Sequence, residues 1–212
     1  VSSSRCSTKH ILCGLLPSKS PLLSTFNLQD IKWLLLASYP MRPPPDCVLI
    51  EPDLYKDSRG LFYETFQLQR YQEIIGQNFQ FVQDNFSISH KGVLRGLHFQ
   101  ATKPQGKLIR VSRGSVLDIA VDLRPQSLSF GKWTKAILSE DNHLQFWIPP
   151  GFAHGFLSLT NDVHFEYKCT DYYDHKDEKT IAWNDPYLDI DWPSDIDIIL
   201  SDRDQLGMSF KD

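Results

Sequence analysis

Short apolar stretches, several of them alternating apolar with polar residues, recur along the chain from Cys47 onward. They follow one another about every eight to twelve residues, with turn-forming residues between them, which is typical of an all-β sandwich or barrel. The pattern predicts strands over residues 48–54, 61–66, 93–100, 107–112, 116–123, 133–138, 144–148, 156–160 and 163–170. We therefore expect an all-β fold, a double-sheet jelly roll with a few short helices.

Helical sequence is confined to two short segments. Residues 68–75 predict a helix that is closed by Gly76, and residues 201–206 are a second, shorter candidate. No strand is followed by a glycine-rich loop of the GxGxxG or GxxxxGKS/T kind. A nucleotide-dependent enzyme with a Rossmann or P-loop fold is therefore not expected.

Residues 1–40 differ in composition from the rest of the chain. They carry four basic residues and one acidic residue, with seven serines among the first 24 positions, and so resemble an organellar transit peptide. Three interpretations stay open: sequence upstream of a domain that begins at Met41, a targeting segment, or a structured extension. We expect the first, with a leader over residues 1–40 outside a functional domain over residues 41–212.

The charge of the predicted domain limits its partners. Of the 22 basic and 26 acidic residues in the chain, 18 and 25 remain in residues 41–212 after the leader is subtracted, a net charge of −7. Nucleic-acid binding needs clustered Lys and Arg, so no nucleic-acid partner is expected. The longest apolar runs, residues 11–16 and 33–37, are far shorter than the roughly 18 residues of a membrane span, so no membrane partner is expected.

The cysteines indicate a cellular compartment. Cys6, Cys13, Cys47 and Cys169 form no CxxC pair, so their spacing predicts neither a disulfide framework nor a cysteine zinc site. Reduced thiols are typical of a cytoplasmic protein, and a cytoplasmic location is expected.

Polar groups concentrate in three segments where a plain β-barrel would carry apolar residues. The first, GVLRGLHFQ, places Arg95 and His98 on opposite faces by simple alternation, and a bulge at Gly96 would bring both toward one cavity. The second, WIPPGFAHGF, contains His154. The third, HFEYKCTDYY, has Tyr167 near its centre.

The first two segments resemble the two motifs of cupin barrels, in which HxH, a Glu and a later His bind a divalent metal. Gln100 stands where the second His of the motif is expected, and Lys107 falls at the Glu position. An ammonium in place of a carboxylate removes a ligand and repels a cation. We therefore expect a cupin-like barrel without a metal site.

Histidine and lysine side chains in such a barrel suit proton chemistry. A neutral imidazole such as that of His98 accepts a proton near pH 7, and the Lys107 ammonium stabilises negative charge on a carbonyl oxygen. A phenol such as that of Tyr167 returns a proton to the opposite face of the same carbon. Together these groups predict proton abstraction beside a ketone, through an enolate, which is the chemistry of an epimerase.

Six segments of the chain together resemble the dTDP-4-dehydrorhamnose 3,5-epimerase family. In chain order they are DSRGLFYETF, FVQDNFS, KGVLRGLHFQ, QGKLIRV, WIPPGFAHGF and TDYYDHKDEKTIAWNDPYLDIDWP, and they cover nearly all of residues 46–210. The leader resembles nothing in the family. The resemblance implies a cofactor-free homodimer, with N-terminal strands exchanged between subunits, that inverts C3 and C5 of dTDP-4-dehydro-6-deoxy-D-glucose in dTDP-L-rhamnose biosynthesis.

The resemblance also implies roles for individual residues. His98 is expected to be the proton acceptor, Asp204 the carboxylate that orients it, Lys107 the cation beside the C4 oxygen and Tyr167 the proton donor. Substrate contacts are expected from Arg59, Glu64, Gln83, Asp84, Asn85, Arg95, His154, Glu178 and Arg203. Of these, Arg203 stands where the family usually has a lysine.

Arg59 and Arg95 are suited to bind a diphosphate with charge-assisted hydrogen bonds, which would let an acidic domain hold an anionic substrate. Three alternatives stay open at this point. They are an epimerase that inverts only C3 or only C5, a sugar-nucleotide-binding cupin without catalysis, and a metal-dependent cupin oxygenase.

Overall fold

The computed structural model describes residues 9–10, 46–75 and 79–212. Two helices lie in these ranges, α1 (Leu68–Ile75) and α2 (Asp202–Gln205). The strands, numbered in chain order, are β1 (Lys9–His10), β2 (Val48–Glu51), β3 (Tyr55–Asp57), β4 (Gly60–Phe62), β5 (Gln83–Ser89), β6 (Leu94–Gln100), β7 (Lys107–Arg113), β8 (Ser115–Asp122), β9 (Trp133–Ser139), β10 (Gln145–Ile148), β11 (Phe152–Ser158), β12 (Val163–Cys169) and β13 (Glu178–Thr180).

Eight of these strands form two facing layers. β5, β12, β7 and β10 lie side by side in one layer, and β6, β11, β8 and β9 in the other, with each neighbouring pair antiparallel. This is the strand order of a jelly roll, so the predicted fold is confirmed. Within the described ranges, β2 and β1 extend the first layer to six strands, and β13 extends the second to five. β3 and β4 form a separate hairpin.

Buried apolar side chains on both faces of the six-stranded sheet fix its position. Ile109 and Phe165 point inward and belong to the core between the sheets. On the outer face, Tyr71 and Ile74 of α1 pack in a second core with Trp147. Removing such surface from water contributes about 25 cal/mol per Å², which holds α1 and both sheets together.

The segment after β13 covers the outer face of the five-stranded sheet. Trp183 and Trp192 pack against the core on that face, and Trp192 Nε1 donates a hydrogen bond to the Trp183 carbonyl at 2.8 Å. The backbone N–H of Ile199 donates to the carbonyl of Gly92 at 2.8 Å. These contacts fix the segment that leads into α2 beside β6, the strand that contains His98.

Several predicted element bounds need correction. Residues 83–89 form β5 although no strand was predicted there, because the inward positions of this strand are polar and line a cavity. The predicted strand 61–66 is shortened to β4, and the predicted strand 156–160 belongs to the earlier and longer β11. Helices α1 and α2 lie where they were predicted, whereas Gly76 is outside the described residues.

A bulge in β6 brings Arg95 and His98 to the same face. Between these two residues, two positions of β6 lie opposite a single position of β11. Gly96, within the bulge, has φ +131°, and its Cα lies so close to Gly155 that a side chain there would clash with the backbone. The expected bulge is therefore confirmed, and the simple alternation that separated Arg95 from His98 is corrected.

The predicted leader of residues 1–40 lies outside the described residues except for β1. Lys9–His10 pairs antiparallel with β2 at the edge of the six-stranded sheet. In the described part of the chain, no helix is both long enough and apolar enough to cross a membrane.

Candidate active site

A cavity of about 330 Å³ lies between the two sheets, where inward-facing side chains of β5, β6, β7 and β12 are polar. Its apolar wall includes Phe156 and Phe165, whose stacked rings lie 3.9 Å apart. Nine of the thirteen predicted site residues line it, namely Asn85, Arg95, His98, Lys107, His154, Tyr167, Glu178, Arg203 and Asp204. Convergence of polar groups on one partly apolar cavity is typical of a ligand site.

His98 and Asp204 form a close pair in this cavity. His98 Nε2 and Asp204 Oδ1 are 2.5 Å apart, and Ser201, the N-cap of α2, donates its hydroxyl to Asp204 Oδ2 at 2.8 Å. Although burial raises the pKa of Asp204, the hydrogen bonds from His98 and Ser201 outweigh it and hold the pKa below its usual range. The Asp204 carboxylate is therefore charged at neutral pH, and it leaves Nδ1 of His98 available to accept a proton.

Lys107 and Tyr167 face the cavity from the opposite sheet. The Lys107 ammonium nitrogen lies 6.0 Å from the centre of the Tyr167 ring. Burial lowers the pKa of Lys107, and nearby acidic groups oppose that shift. Burial also raises the pKa of Tyr167 to about 12, so the phenol keeps its proton at neutral pH. This side of the cavity therefore offers a cation and a proton donor.

A second histidine–aspartate pair lies in the barrel interior. His154 Nε2 lies 3.0 Å from Asp118 Oδ2, and both side chains are buried. Burial lowers the pKa of His154 and raises the pKa of Asp118, in each case against the attraction of the partner. Asp118 was not predicted. A carboxylate at an inward-facing position of the apolar strand VLDIAVD is the signal that would have found it, because a buried charge needs a partner.

Hydrogen bonds to residues of β5 and β12 position two predicted substrate-contact residues, Arg95 and Asn85. Arg95 Nε donates to Ser89 Oγ at 3.2 Å, which leaves the terminal amino groups of Arg95 available for an anion. Gln83 Nε2 donates to Asn85 Oδ1 at 2.9 Å, and Asn85 Nδ2 donates to Cys169 Sγ at 3.5 Å. Gln83 does not line the cavity itself and instead orients Asn85.

Glu178 of β13 connects three groups of the cavity. Its Oε2 accepts a hydrogen bond from the Tyr173 hydroxyl at 2.6 Å and forms an ion pair with Arg203. Its Oε1 lies 3.8 Å from Nδ1 of His98, too far for a hydrogen bond. Tyr173 lines the cavity but was not predicted as a site residue. The run TDYY does not distinguish an aromatic side chain that packs in the core from one that contacts a ligand.

Three predicted residues lie away from the cavity within a single chain. Arg59 sits in the turn between β3 and β4, where its side chain is 88% exposed and pairs with a neighbouring aspartate. Glu64 pairs with Arg70 of α1. Asp84 forms an ion pair with Lys168 at 3.0 Å and lines a separate cavity of about 310 Å³ on the outer face of the six-stranded sheet.

The side chains at the cupin ligand positions have other uses. Gln100 Nε2 donates to the carbonyl oxygens of Lys103 and Tyr172 at 2.8 and 3.3 Å, and Lys107 lines the cavity as a cation. Across residues 46–75 and 79–212, no three His, Cys, Asp or Glu side chains are grouped so that they could hold a metal ion.

The grouped side chains define the chemistry of the site. A histidine oriented by a carboxylate, a partly buried ammonium and a protonated phenol surround one cavity, an arrangement suited to moving protons beside a carbonyl group. Fold and site together are typical of a jelly-roll enzyme suited to acid–base catalysis. Residues 43–212 match the family model of dTDP-4-dehydrorhamnose 3,5-epimerase, and the chain belongs to this family.

Individual relatives agree with this assignment. The dTDP-4-dehydrorhamnose 3,5-epimerase of Pseudomonas aeruginosa is 48% identical over 168 residues, 79% of this chain and 93% of the relative. A Legionella pneumophila dTDP-6-deoxy-D-glucose-3,5-epimerase, crystallised with dTDP-4-keto-L-rhamnose, is 51% identical with a TM-score of 0.77, covering 79% of this chain and 89% of the other. ChmJ, a 3'-monoepimerase from Streptomyces bikiniensis crystallised with dTDP-quinovose, is 33% identical with a TM-score of 0.75, covering 80% and 87%.

Proposed function

We propose that the chain inverts C3 and C5 of dTDP-4-dehydro-6-deoxy-D-glucose and so forms dTDP-4-dehydro-L-rhamnose for dTDP-L-rhamnose biosynthesis. One observation carries the proposal. His98 and Tyr167 line one cavity from facing sheets, with Lys107 beside Tyr167. A sugar ring bound between the sheets would have a base on one face and an acid on the other.

Each inversion uses one proton transfer on each face of the ring. Nδ1 of His98 takes the proton from a carbon beside the C4 ketone, the electron pair moves to the C4 oxygen, and the Lys107 ammonium stabilises the enolate. The Tyr167 phenol then delivers its proton to the other face of the same carbon, and exchange with solvent restores both side chains. C3 and C5 both adjoin C4, so a repositioned ring lets the same groups serve both carbons.

Other cavity residues support binding in this proposal. The available terminal amino groups of Arg95 suit the diphosphate, since a guanidinium matches the geometry of phosphate oxygens. Asn85, His154, Glu178 and Arg203 are proposed to contact the sugar or nucleotide, because each lines the same cavity.

We further propose a homodimer in which Arg59 and Glu64 reach the cavity of the partner. Both residues lie outside the cavity of their own chain, which supports a role in trans. The β3–β4 hairpin leaves Phe62 70% exposed, and the edge strand β5 exposes Phe86 and Ile88, features that a subunit interface would cover. Native mass spectrometry of the full chain measures the assembly directly, and a monomer at micromolar concentration would contradict this part of the proposal.

We also propose that residues 41–212 form the epimerase domain and that the enzyme acts in the cytoplasm. The family match over residues 43–212 supports the domain bounds. Cys47 and Cys169 both carry free thiols, which supports a reducing compartment.

Turnover of the dTDP-ketosugar in D₂O tests the proposed function. Deuterium is expected at both C3 and C5, together with formation of the L-sugar. A His98→Asn variant serves as the matched control, because it should still bind the nucleotide while deuterium incorporation falls by about 10² or more.

The same experiment separates the alternatives. Label at one carbon only would identify a single epimerase, the activity named for ChmJ, which is 33% identical to this chain where the two align. Tight binding without any label would identify a non-catalytic sugar-nucleotide-binding protein. Stoichiometric iron or zinc in the purified chain, with no proton exchange, would instead support an oxygenase.

A further inference from the structure

His98 lies between two carboxylates. Asp204 Oδ1 is 2.5 Å from Nε2, and Glu178 Oε1 is 3.8 Å from Nδ1. Negative charge on both sides stabilises the protonated imidazole. A base that already holds a proton does not accept another, so an unbalanced charge on Glu178 would oppose the proposed role of His98.

Arg203 balances the charge of Glu178. Its guanidinium forms an ion pair with Glu178, whose side chain is 12% exposed, and it also contacts the Tyr173 hydroxyl at 3.4 Å. Arg203 and Asp204 are consecutive residues of α2. One short helix therefore supplies the hydrogen-bond partner of His98 Nε2 and the counterion of the carboxylate beside Nδ1.

Several other polar groups face His98 in the same cavity. Besides the two carboxylates, the charged or titratable side chains there are Arg95, Lys107, His154, Tyr167, Tyr173 and Arg203. His154 is paired with Asp118, Arg95 with Ser89, and Tyr173 donates to Glu178 without changing its charge. Arg203 is the cation that contacts Glu178 directly.

We propose that Arg203 is a positioning residue of the epimerisation, which neutralises Glu178 and thereby keeps Nδ1 of His98 free to accept the substrate proton at neutral pH. This role rests on the proposed function and goes beyond a contact with the ligand. Without the guanidinium, the protonated imidazole gains stability, and the pH at which the base becomes available rises. The loss of kcat is therefore largest on the acid side of the pH profile and recovers at higher pH.

The pH profile of kcat in charge variants tests this role. Arg203→Met should move the acid limb to higher pH by about one unit. Arg203→Lys keeps the positive charge, so its acid limb should lie close to that of the unmodified chain. In a Glu178→Gln background, Arg203→Met should no longer move the limb, because the charge that it balances is gone. Arg113→Met removes an exposed arginine that pairs with Asp162 and should leave the profile unchanged.

Titration of His98 in the substrate-free chain measures the same effect without turnover. Its imidazole C–H resonance, one of seven, is identified by its loss in His98→Asn and should titrate at higher pH in Arg203→Met. If the resonance moves but the dTDP-ketosugar is not turned over, the proposed function fails and the effect of Arg203 on His98 stands. A raised KM with an unmoved acid limb and an unmoved resonance would overturn the inference and leave Arg203 as a ligand contact.

Discussion

His98 and Asp204 are 106 positions apart in the chain, yet His98 Nε2 and Asp204 Oδ1 lie 2.5 Å apart. β6 supplies the histidine, and the segment that packs over the five-stranded sheet delivers α2 with the aspartate. A carboxylate at this distance fixes the orientation of the imidazole and stabilises its protonated form after proton transfer. In the proposed mechanism the pair therefore leaves Nδ1 as the nitrogen that acts as base.

Replacing Asp204 by Asn should lower kcat by about 10²–10⁴, because a neutral amide neither holds the productive tautomer of His98 nor stabilises the imidazolium. Steady-state kinetics measures the loss, and circular dichroism checks that the fold is kept. Asp202→Asn changes an exposed acid of the same helix and is the matched control. Equal losses in the two variants would show that α2 acts through structure alone.

Replacing Tyr167 by Phe should separate proton removal from inversion. His98 can still take a proton and return one to the same face, so deuterium exchange should persist while the inverted sugar falls by about 10² or more. Proton NMR of the sugar in D₂O follows both quantities. Tyr172→Phe changes an exposed phenol that does not line the cavity and should behave as the unmodified chain. Undiminished inversion in Tyr167→Phe would exclude this phenol as the proton donor.

Gly96→Ala should both destabilise the chain and reduce activity. A Cβ at Gly96 would lie 2.8 Å from the carbonyl oxygen of His154 and clash with Gly155, so the bulge that directs Arg95 and His98 inward could not keep its shape. Gly60→Ala is the control, since Gly60 has a similar φ of +128° but open space around it. We expect Gly96→Ala to cost at least about 2 kcal/mol more in unfolding free energy. Similar melting curves for the two variants would contradict this explanation.

Asp122 should make folding stability dependent on acid pH. Although burial raises its pKa, hydrogen bonds from Arg124, Ser127 and Ser129 outweigh it and hold the pKa of Asp122 far below its usual range. A carboxyl group with a lowered pKa in the folded state stabilises the fold above its ordinary pKa, and this contribution is lost as pH falls toward the folded value. Stability should therefore fall progressively as pH drops below about 4.

Asp122→Asn should consequently lower the free energy of unfolding at pH 7 by about 2–3 kcal/mol and flatten its pH dependence below pH 4. Urea denaturation at several pH values measures both effects. Asp141→Asn, at an exposed position, is the matched control. An unchanged slope of stability against pH in Asp122→Asn would rule out this group as the source.

Mixing two inactive variants should restore activity if Arg59 serves the partner. Arg59→Ala keeps His98, and His98→Asn keeps Arg59, so a mixed dimer contains one site with both residues intact. Refolding the two variants together and assaying turnover measures the restored fraction. Activity no higher than that of the separate variants would place Arg59 outside the site or within its own chain's cavity.

The local pattern of the sequence was sufficient for much of the fold. Alternating apolar residues between turns identified most strands of the jelly roll, and α1 and α2 lie where they were predicted. β5 was missed because its inward side chains Asn85 and Ser87 line a cavity instead of a core, so no apolar alternation marks the strand. Residue motifs likewise named His98, Lys107 and Tyr167 before any geometry, since their chemistry depends on side-chain type.

Tertiary structure alone decided which side chains meet. The bulge at Gly96 turned Arg95 toward the cavity, and the pairing of β8 with β11 within one sheet brought Asp118 to His154, two relationships between strands distant in sequence. Chain packing also set Asp84 on the outer face of its sheet and joined Arg203 to Glu178. Such contacts depend on how layers stack and on where strand register shifts, and these are properties of the whole packed core, which the pattern within one segment does not contain.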